Sequence, residues 1–328
     1  MGSSTVTPAD AGNSGNLGAP KNFMERVRKG DEVAYLITFM AALSIVLITA
    51  LLAQHLWANS ALSRHKFGWS FVTSKIWNPV LGDFGALPFI YGTLVTSVIG
   101  LLIAVPIGIG AAIFLSELAP KKVSNFLTFL IELLAAVPSV IFGLIGIFVL
   151  VPILKTVVPV LTSHLSFIPI LSGTFFGYSF LTAGIVLAIM IVPFIVSISR
   201  EVLLAVPNSQ REAMMALGAT KWDVTWLAVI PYAQKGIIGS IFLALARALG
   251  ETMAVTMVIG NVPEIHASIL SPGYTIASVI ANEFTEATED IYLHALIEMA
   301  LVLFVLSMIV NAAARLLMLT TGIREVRE

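Results

Sequence analysis

Long apolar runs separated by short polar stretches dominate the pattern of positions along this chain. A hydrocarbon core about 30 Å thick needs roughly 20 apolar residues in a helix to cross it. The runs of that length are 33–57, 90–116, 125–151, 180–199, 236–261 and 292–319. Membrane β-strands would instead alternate apolar and polar residues over about 10 positions. The pattern therefore predicts an all-α polytopic membrane protein with six transmembrane helices.

Composition agrees with this fold class and excludes several functions. Of 328 residues, 58% are hydrophobic and 11% are charged, and the mean hydropathy is +0.96. Soluble globular domains carry about 25% charged residues, so an ordinary soluble domain, a disordered chain and a nucleic-acid binder are excluded. The chain has no cysteine, which excludes disulfides, thiolate metal sites and a cysteine nucleophile.

The positions of the basic residues predict the orientation in the membrane. Of the 18 Lys and Arg residues, Arg247 lies inside a run, and Arg64, Lys66, Lys75 and Lys155 lie on one side. The others fall on the side of the two termini. Because cytoplasmic loops carry the excess of Lys and Arg, we expect both termini to be cytoplasmic.

The remaining segments divide the chain around these runs. Residues 1–30 are rich in small and polar residues and are expected to form a largely disordered cytoplasmic tail. Residues 31–323 form the transmembrane domain, and 324–328 form a short cytoplasmic tail. The apolar segment 153–177 is interrupted by Pro and Gly, which favours a short re-entrant or surface helix. Pro138 is expected to kink the third transmembrane helix.

The cytoplasmic segment 201–235, between the fourth and fifth runs, contains start and stop signals for helices. Ser209 and Glu212 have the S-x-x-E spacing of a capping box, which predicts the start of a helix. Gly218 follows Leu217 and can take the positive φ that ends one.

A second helix is predicted directly after this glycine. Thr220 and Asp223 repeat the capping spacing, so the segment predicts two short helices joined by a sharp turn. In the first helix Ala213, Met214 and Leu217 lie on one face. An apolar face on a short cytoplasmic helix is typical of an element that docks into the groove of a partner.

The fifth run contains two charges, Arg247 and Glu251. A charged residue at the centre of a membrane helix costs about 2.5–3.5 kcal/mol on insertion scales. The spacing of four residues places both on one helical face, where they can pair. One interpretation is a structural bridge that fixes the position of the helix. The other is a substrate path in which Arg247 offers forked donors to an oxyanion and Glu251 holds the arginine in place.

No sequence motif supports catalysis. Walker A, G-x-S-x-G and H-E-x-x-H patterns are absent, and the five histidines do not have the spacing of a metal set. We therefore predict that this chain is not an enzyme.

The cytoplasmic segment carries a family resemblance. Glu212-Ala213, then Gly218, then Pro231 after twelve residues resembles the EAA loop of ABC importer permeases. The chain departs from the usual Ala, Ile and Leu of that loop by other apolar residues, at Met214, Ala228 and Ile230. The resemblance implies a type I importer permease whose loop docks into a separate ATPase subunit. It assigns this contact to Glu212, Ala213, Met214, Leu217, Gly218 and Pro231.

Three further blocks, 89–94, 132–140 and 247–255, resemble the phosphate-importing branch of that family. The likeness extends over about residues 30–325. It implies a multi-pass protein of the bacterial inner membrane that imports phosphate by alternating access. The implied partners are a second permease subunit, a dimer of ATPase subunits that bind ATP and Mg, and an extracytoplasmic phosphate-binding protein. No cofactor is expected in this chain. A sulfate or molybdate importer, or a secondary transporter, remains an alternative.

Overall fold

A computed structural model describes residues 31–165 and 169–320 of the chain. The tails predicted at 1–30 and 324–328 lie outside these residues. The described residues are helical, with two isolated β-bridges and no strand. The helices are α1 (Asp31–Asn59), α2 (Ala61–Phe67), α3 (Ser70–Thr73), α4 (Leu87–Ile113), α5 (Lys121–Ala135), α6 (Ser139–Ile145), α7 (Val151–Leu165), α8 (Phe180–Leu204), α9 (Asn208–Ala216), α10 (Lys221–Val224), α11 (Ile230–Leu249), α12 (Met253–Ile259), α13 (Ile276–Glu283) and α14 (Asp290–Thr320).

The predicted number of membrane spans is confirmed. Among the described residues, six helical stretches are long and apolar enough to cross a membrane. They are Val33–Asn59, Leu87–Leu118, Ser139–Ser163, Phe180–Leu204, Lys221–Leu249 and Asp290–Leu316. Their order gives a multi-pass membrane protein, as the apolar runs predicted.

The third span was placed wrongly from the sequence. The predicted run 125–151 contains two helices, because α5 ends at Ala135 and a new helix starts at Ser139 after Pro138. Pro138 has an extended ψ of 138°, so it ends one helix and precedes the next instead of kinking a single one. The crossing is Ser139–Ser163, which also overturns the short re-entrant helix predicted at 153–177.

Three π-helical turns lie inside the spans, and each has the same cause. They are Phe114–Leu118, Gly146–Leu150 and Thr225–Val229. Each ends two residues before a proline: Pro120, Pro152 and Pro231. A proline has no N–H and its ring clashes with the preceding turn, so the residue before it bonds to the carbonyl five residues back. At Pro152 and Pro231 the helix continues after the wider turn, whereas at Pro120 the helix ends.

The chain divides into two compact units, Met1–Gln54 and His55–Glu328. In the first unit, the described part of α1 carries no buried side chain. In the second unit the core surrounds α8, which is the most buried of the six spans. Leu187, Ile191 and Ile195 of α8 are fully shielded from solvent.

Small residues allow the helices around α8 to approach closely. A Cβ on Gly108 of α4 would lie 2.7 Å from Ile195 Cγ2. The small residue Ser240 of the fifth span also contacts α8, since Ser240 Oγ lies 2.7 Å from Ser199 Oγ and both are buried. These contacts fix the fourth and fifth spans to each other, which places the loop between them.

Candidate functional site

The predicted cytoplasmic helix is present as α9, which we call the coupling helix (Asn208–Ala216). Its predicted capping box is wrong: the helix begins two residues earlier, after Pro207, and no side chain caps it. Proline supplies a fixed φ that favours a helix start, so Ser209 lies inside the first turn. Gly218 has a φ of +85°, as predicted for the residue that ends this helix.

The second predicted capping box is confirmed, but the helix it starts is not short. Thr220 Oγ1 accepts a hydrogen bond from the Asp223 amide at 3.3 Å, and Asp223 Oδ2 accepts one from the Thr220 amide at 3.0 Å. From there α10 continues through the π turn into α11. The coupling helix is therefore joined by the Gly218 turn directly to the fifth span, Lys221–Leu249.

An ion pair between distant parts of the sequence holds the coupling helix. Arg211 Nη2 lies 2.8 Å from Glu117 Oε1, and Arg211 Nε lies 3.1 Å from Glu117 Oε2. Other donors of the guanidinium reach the carbonyls of Leu203 and Val206. The side chains are 16% and 9% exposed. This Glu117–Arg211 clamp ties the coupling helix to the ends of the second and fourth spans.

Sequence reasoning missed the clamp. Glu117 and Arg211 are 94 residues apart, and neither lies in a motif. The only sequence feature that links the two residues is their predicted side of the membrane: Glu117 lies at the end of the second span, and Arg211 lies in the segment predicted to be cytoplasmic.

The two faces of the coupling helix have different surroundings. Met214 packs with Ala219 against a buried cluster that includes Leu203, Val206 and Val224. Leu217 is 84% exposed. The sequence placed Ala213, Met214 and Leu217 on one docking face, and this is wrong for Met214, which faces its own chain.

The exposed surface of this segment is rich in apolar residues and also carries charged ones. Glu212, Ala213 and Gly218 are exposed. Apolar exposed residues next to them are Met215, Leu217, Trp222, Trp226 and Leu227. An exposed apolar patch with a polar rim is typical of a protein interaction surface.

The fifth span is broken close to its two predicted charges. The apolar part of α11, residues 236–249, extends only about 21 Å at 1.5 Å per residue, which is less than the 30 Å core. The helix ends at Leu249, and α12 starts at Met253. Non-helical backbone at membrane depth is tolerated where protein covers it or where it lines a wet cavity. Broken spans of this kind form the substrate sites of many transporters.

The break separates Arg247 from Glu251, so the predicted pair within one helix is wrong. Within the described residues no ion pair of 4.0 Å or less joins them. Arg247 is exposed in the last turn of α11, with its guanidinium carbon 5.9 Å from the centre of the Phe194 ring. Glu251 Oε1 accepts a hydrogen bond from the Ala254 amide at 3.2 Å. Glu251 therefore caps the start of α12, which leaves Arg247 free to face a ligand.

The short helices after the two breaks pack on each other. A Cβ on Gly143 of α6 would lie 2.5 Å from Met257 Sδ and 3.3 Å from Ala254 Cα of α12. A Cβ on Gly146 would lie 2.7 Å from Val258 Cγ1. Two of the sequence blocks that carry the family resemblance, 132–140 and 247–255, therefore each contain a helix break. The short helices that follow these breaks, α6 and α12, contact each other.

Replacing Gly143 with valine is expected to destabilise this contact. Overpacking of this kind costs about 1–3 kcal/mol, because Met257 and the α12 backbone must move. The matched control is Gly110→Val, since Gly110 also lies in a helix but a Cβ added to it would have nothing within 4 Å. Thermal unfolding in detergent should give a lower midpoint for Gly143→Val than for Gly110→Val. Equal midpoints would contradict the tight packing of α6 on α12.

The part of the chain that the structure describes contains no cluster of metal-ligating side chains. No three His, Asp or Glu residues gather there as a metal-binding group.

Comparison with known proteins identifies the family. The profile described as "Binding-protein-dependent transport system inner membrane component" matches residues 104–318. The phosphate transport system permease protein PstC of Mesorhizobium japonicum is 46% identical over 299 residues, which are 90% of this chain and 91% of that protein. The PstC of Xylella fastidiosa is 45% identical, over 88% and 90% of the two chains. A probable PstC of Methanocaldococcus jannaschii is 36% identical, over 87% and 92%.

Solved structures support the fold. An inward-facing structure of the MetNI methionine ABC transporter, in its native crystal form, aligns with a TM-score of 0.51 and 16% identity. The alignment covers 72% of this chain and 94% of that one. From the profile, the relatives and this likeness in fold, the chain belongs to the family of binding-protein-dependent transport system inner membrane components, and within it to the PstC phosphate transport system permeases.

Proposed function

We propose that this chain is the permease subunit of an ATP-driven importer of inorganic phosphate, working by alternating access. One observation carries the proposal: the identity of 46% with a PstC permease over 90% of this chain. The chain itself contributes the membrane passage, and ATP is hydrolysed by a separate subunit. No cofactor is assigned to this chain; ATP and Mg belong to the ATPase.

The coupling helix is the element that we assign to the ATPase. Glu212, Ala213 and Leu217 are exposed on it, and the Gly218 turn joins it to the fifth span. Pro231 sets the π turn at the start of that span, and Met214 anchors the helix to its own chain. Closure of an ATPase dimer would push this helix, and the Glu117–Arg211 clamp would pass the movement to the second and fourth spans.

Arg247 is the residue that we assign to the substrate path. It lies at the broken end of α11, it is exposed, and no carboxylate within 4.0 Å among the described residues neutralises it. A guanidinium offers parallel donors that match two oxygens of a tetrahedral anion. Glu251 holds the backbone after the break instead of binding Arg247, so it does not compete with the anion for the arginine. As the spans rock, Arg247 faces the two sides alternately.

The assembly that we propose contains three further components. A second permease subunit completes the pathway, an ATPase dimer lies on the cytoplasmic side, and an extracytoplasmic phosphate-binding protein delivers the anion. In this arrangement the permease lies in the bacterial inner membrane with both termini in the cytoplasm. The excess of Lys and Arg on the side of the termini supports this orientation.

Substitution of Gly218 is expected to release the ATPase subunit. A left-handed conformation costs an L-residue about 1–2 kcal/mol, and most for a β-branched one, so Gly218→Val should reorient the coupling helix. The site has nothing within 4 Å of a Cβ, so the cost arises in the backbone alone. Asparagine tolerates this region, which makes Gly218→Asn the matched control. ATPase subunit co-purified with each variant should fall several-fold for valine and stay near wild type for asparagine; equal recovery with both would count against the docking role.

Transport by the whole assembly tests the substrate. Vesicles containing this chain and its partners should accumulate labelled phosphate when ATP is supplied, and a tenfold excess of sulfate or molybdate should leave uptake unchanged. Strong competition by sulfate or molybdate would identify that anion, rather than phosphate, as the substrate. Uptake that follows an ion gradient without ATP would instead identify a secondary transporter.

A further inference from the structure

A cavity of about 590 Å³ lies between the segment that contains α2 and α3 and the sixth span. This volume is typical of a small-molecule site. Its wall is mostly aliphatic, with Val72 and Ile90 on one side and Leu301, Val302 and Val305 of α14 on the other. None of these residues belongs to the coupling helix or to the broken fifth span.

The cavity has the dimensions and position of a lipid site. From Glu298 to Ile309 its wall on α14 extends about 16 Å at 1.5 Å per residue, which is about half of a 30 Å core. Trp57 and Trp69 lie at the same cavity, and Trp69 is 89% exposed. Tryptophan is enriched at the headgroup level of membranes. The cavity therefore extends from the membrane interface through the depth of one leaflet.

Two charged side chains, Arg64 and Glu298, line this otherwise apolar space; Arg64 acts on Glu298 electrostatically, but only from beyond ion-pair distance. Within the described residues no ion pair of 4.0 Å or less joins Arg64 to Glu298. The Arg64 guanidinium lies 3.6 Å from the Trp57 ring centre. It donates from Nε to Ser60 Oγ at 3.0 Å and from Nη2 to the Trp57 carbonyl at 2.6 Å. Its Nη1 makes no hydrogen bond to the described residues.

Glu298 is the second unsatisfied group. It is only 5% exposed, and its Oε2 has no hydrogen-bond partner in the described part of the chain. Burying a charged or polar group without a partner is costly. A ligand that brings both a negative and a positive group would satisfy Arg64 and Glu298 together, whereas an apolar helix of another subunit would satisfy neither.

We propose that this cavity binds one zwitterionic phospholipid with a primary amine, of the phosphatidylethanolamine class. Its phosphate accepts a hydrogen bond from Arg64 Nη1, and its ammonium group pairs with the Glu298 carboxylate. One acyl chain lies along the wall formed by Leu301, Val302 and Val305. The lipid then joins the α2–α3 segment to the sixth span, independently of which anion the permease carries.

Native mass spectrometry of the purified importer complex tests this proposal. The complex is prepared in lipid discs that contain equal amounts of phosphatidylethanolamine and phosphatidylglycerol. Wild type should retain one phosphatidylethanolamine, with at least about tenfold preference over phosphatidylglycerol, equivalent to 1.4 kcal/mol. Arg64→Gln and Glu298→Gln should each remove most of this preference. Lys75→Gln is the matched control, because Lys75 is exposed and does not line the cavity.

A second pair of variants tests the acyl part of the site without changing charge. Val305→Trp should fill the cavity and expel the lipid, while Val157→Trp should retain it, because Val157 is similarly exposed but lies elsewhere. Equal retention of the two lipids by wild type would overturn the proposal. So would cross-linking of the Val305→Cys variant to the second permease subunit, since the chain has no native cysteine and that result would place a protein in the cavity.

Discussion

Replacing Glu117 with arginine is expected to reduce phosphate import at least about tenfold while ATP hydrolysis continues. The change places a second guanidinium group beside Arg211, where the side chains are shielded from water. Breaking such a buried pair costs about 3–5 kcal/mol, well above the 1.4 kcal/mol that shifts an equilibrium tenfold. Without the clamp, the coupling helix can move without moving the ends of the second and fourth spans.

The reciprocal substitution distinguishes coupling from simple loss of structure. The double variant Glu117→Arg with Arg211→Glu should recover part of import, because it restores opposite charges, while the hydrogen bonds from Arg211 to the Leu203 and Val206 carbonyls stay lost. Glu201→Arg is the matched control, since the Glu201 side chain is 70% exposed and water therefore screens its pair with Arg200. Surface pairs contribute at most about 1 kcal/mol, so import should change little. Import and ATP hydrolysis are measured in the same vesicles; normal import by the single variant, or no recovery in the double variant, contradicts the role of the clamp.

Replacing Arg247 with glutamine is expected to abolish phosphate import and leave the assembly intact. Glutamine keeps a hydrogen-bond donor group, but it is shorter and lacks the charge that compensates for stripping water from the anion. Because Arg247 has no ion-pair partner among the described residues, its loss leaves no opposite charge unpaired and should not lower the thermal midpoint. Arg247→Lys should retain partial import, since lysine keeps the charge without the fork.

The control for Arg247 lies in the same span. Lys235 is also exposed, but it lies twelve residues earlier, directly before the apolar residues 236–249, so Lys235→Gln should import normally. Labelled phosphate uptake and co-purification of the ATPase subunit are the two measurements. Wild-type uptake by Arg247→Gln would exclude this residue from the path, and loss of the complex would show that its role is structural.

The sequence predicted the number of spans and the existence of the coupling helix because each rests on a strong local signal. Apolar length alone identified six spans, and the Gly218 turn and the Thr220–Asp223 capping box were readable from residue type and spacing. The span borders were less accurate, since hydropathy does not register a break. Pro138 and Gly250 each interrupt an apolar run, but a single such residue changes the mean hydropathy of a long run very little.

The contacts that organise the site could not be predicted in the same way. The pairing of Arg247 with Glu251 assumed an unbroken helix, and the end of α11 at Leu249 removed the basis for it. The Glu117–Arg211 clamp depends on the packing of the second, fourth and fifth spans, which brings together residues 94 positions apart. Periodicity describes one helix at a time, so it carries no information on such contacts.

The central claim is that this chain forms the membrane pathway and that a separate ATPase drives its conformational change. Simultaneous measurement of ATP hydrolysis and phosphate uptake tests this claim most directly. Vesicles should contain this chain, its second permease subunit and the ATPase, with the phosphate-binding protein added outside. The account predicts that loaded binding protein stimulates both activities together, and that ATP removal stops uptake completely. Phosphate uptake that continues at the same rate without ATP would contradict it.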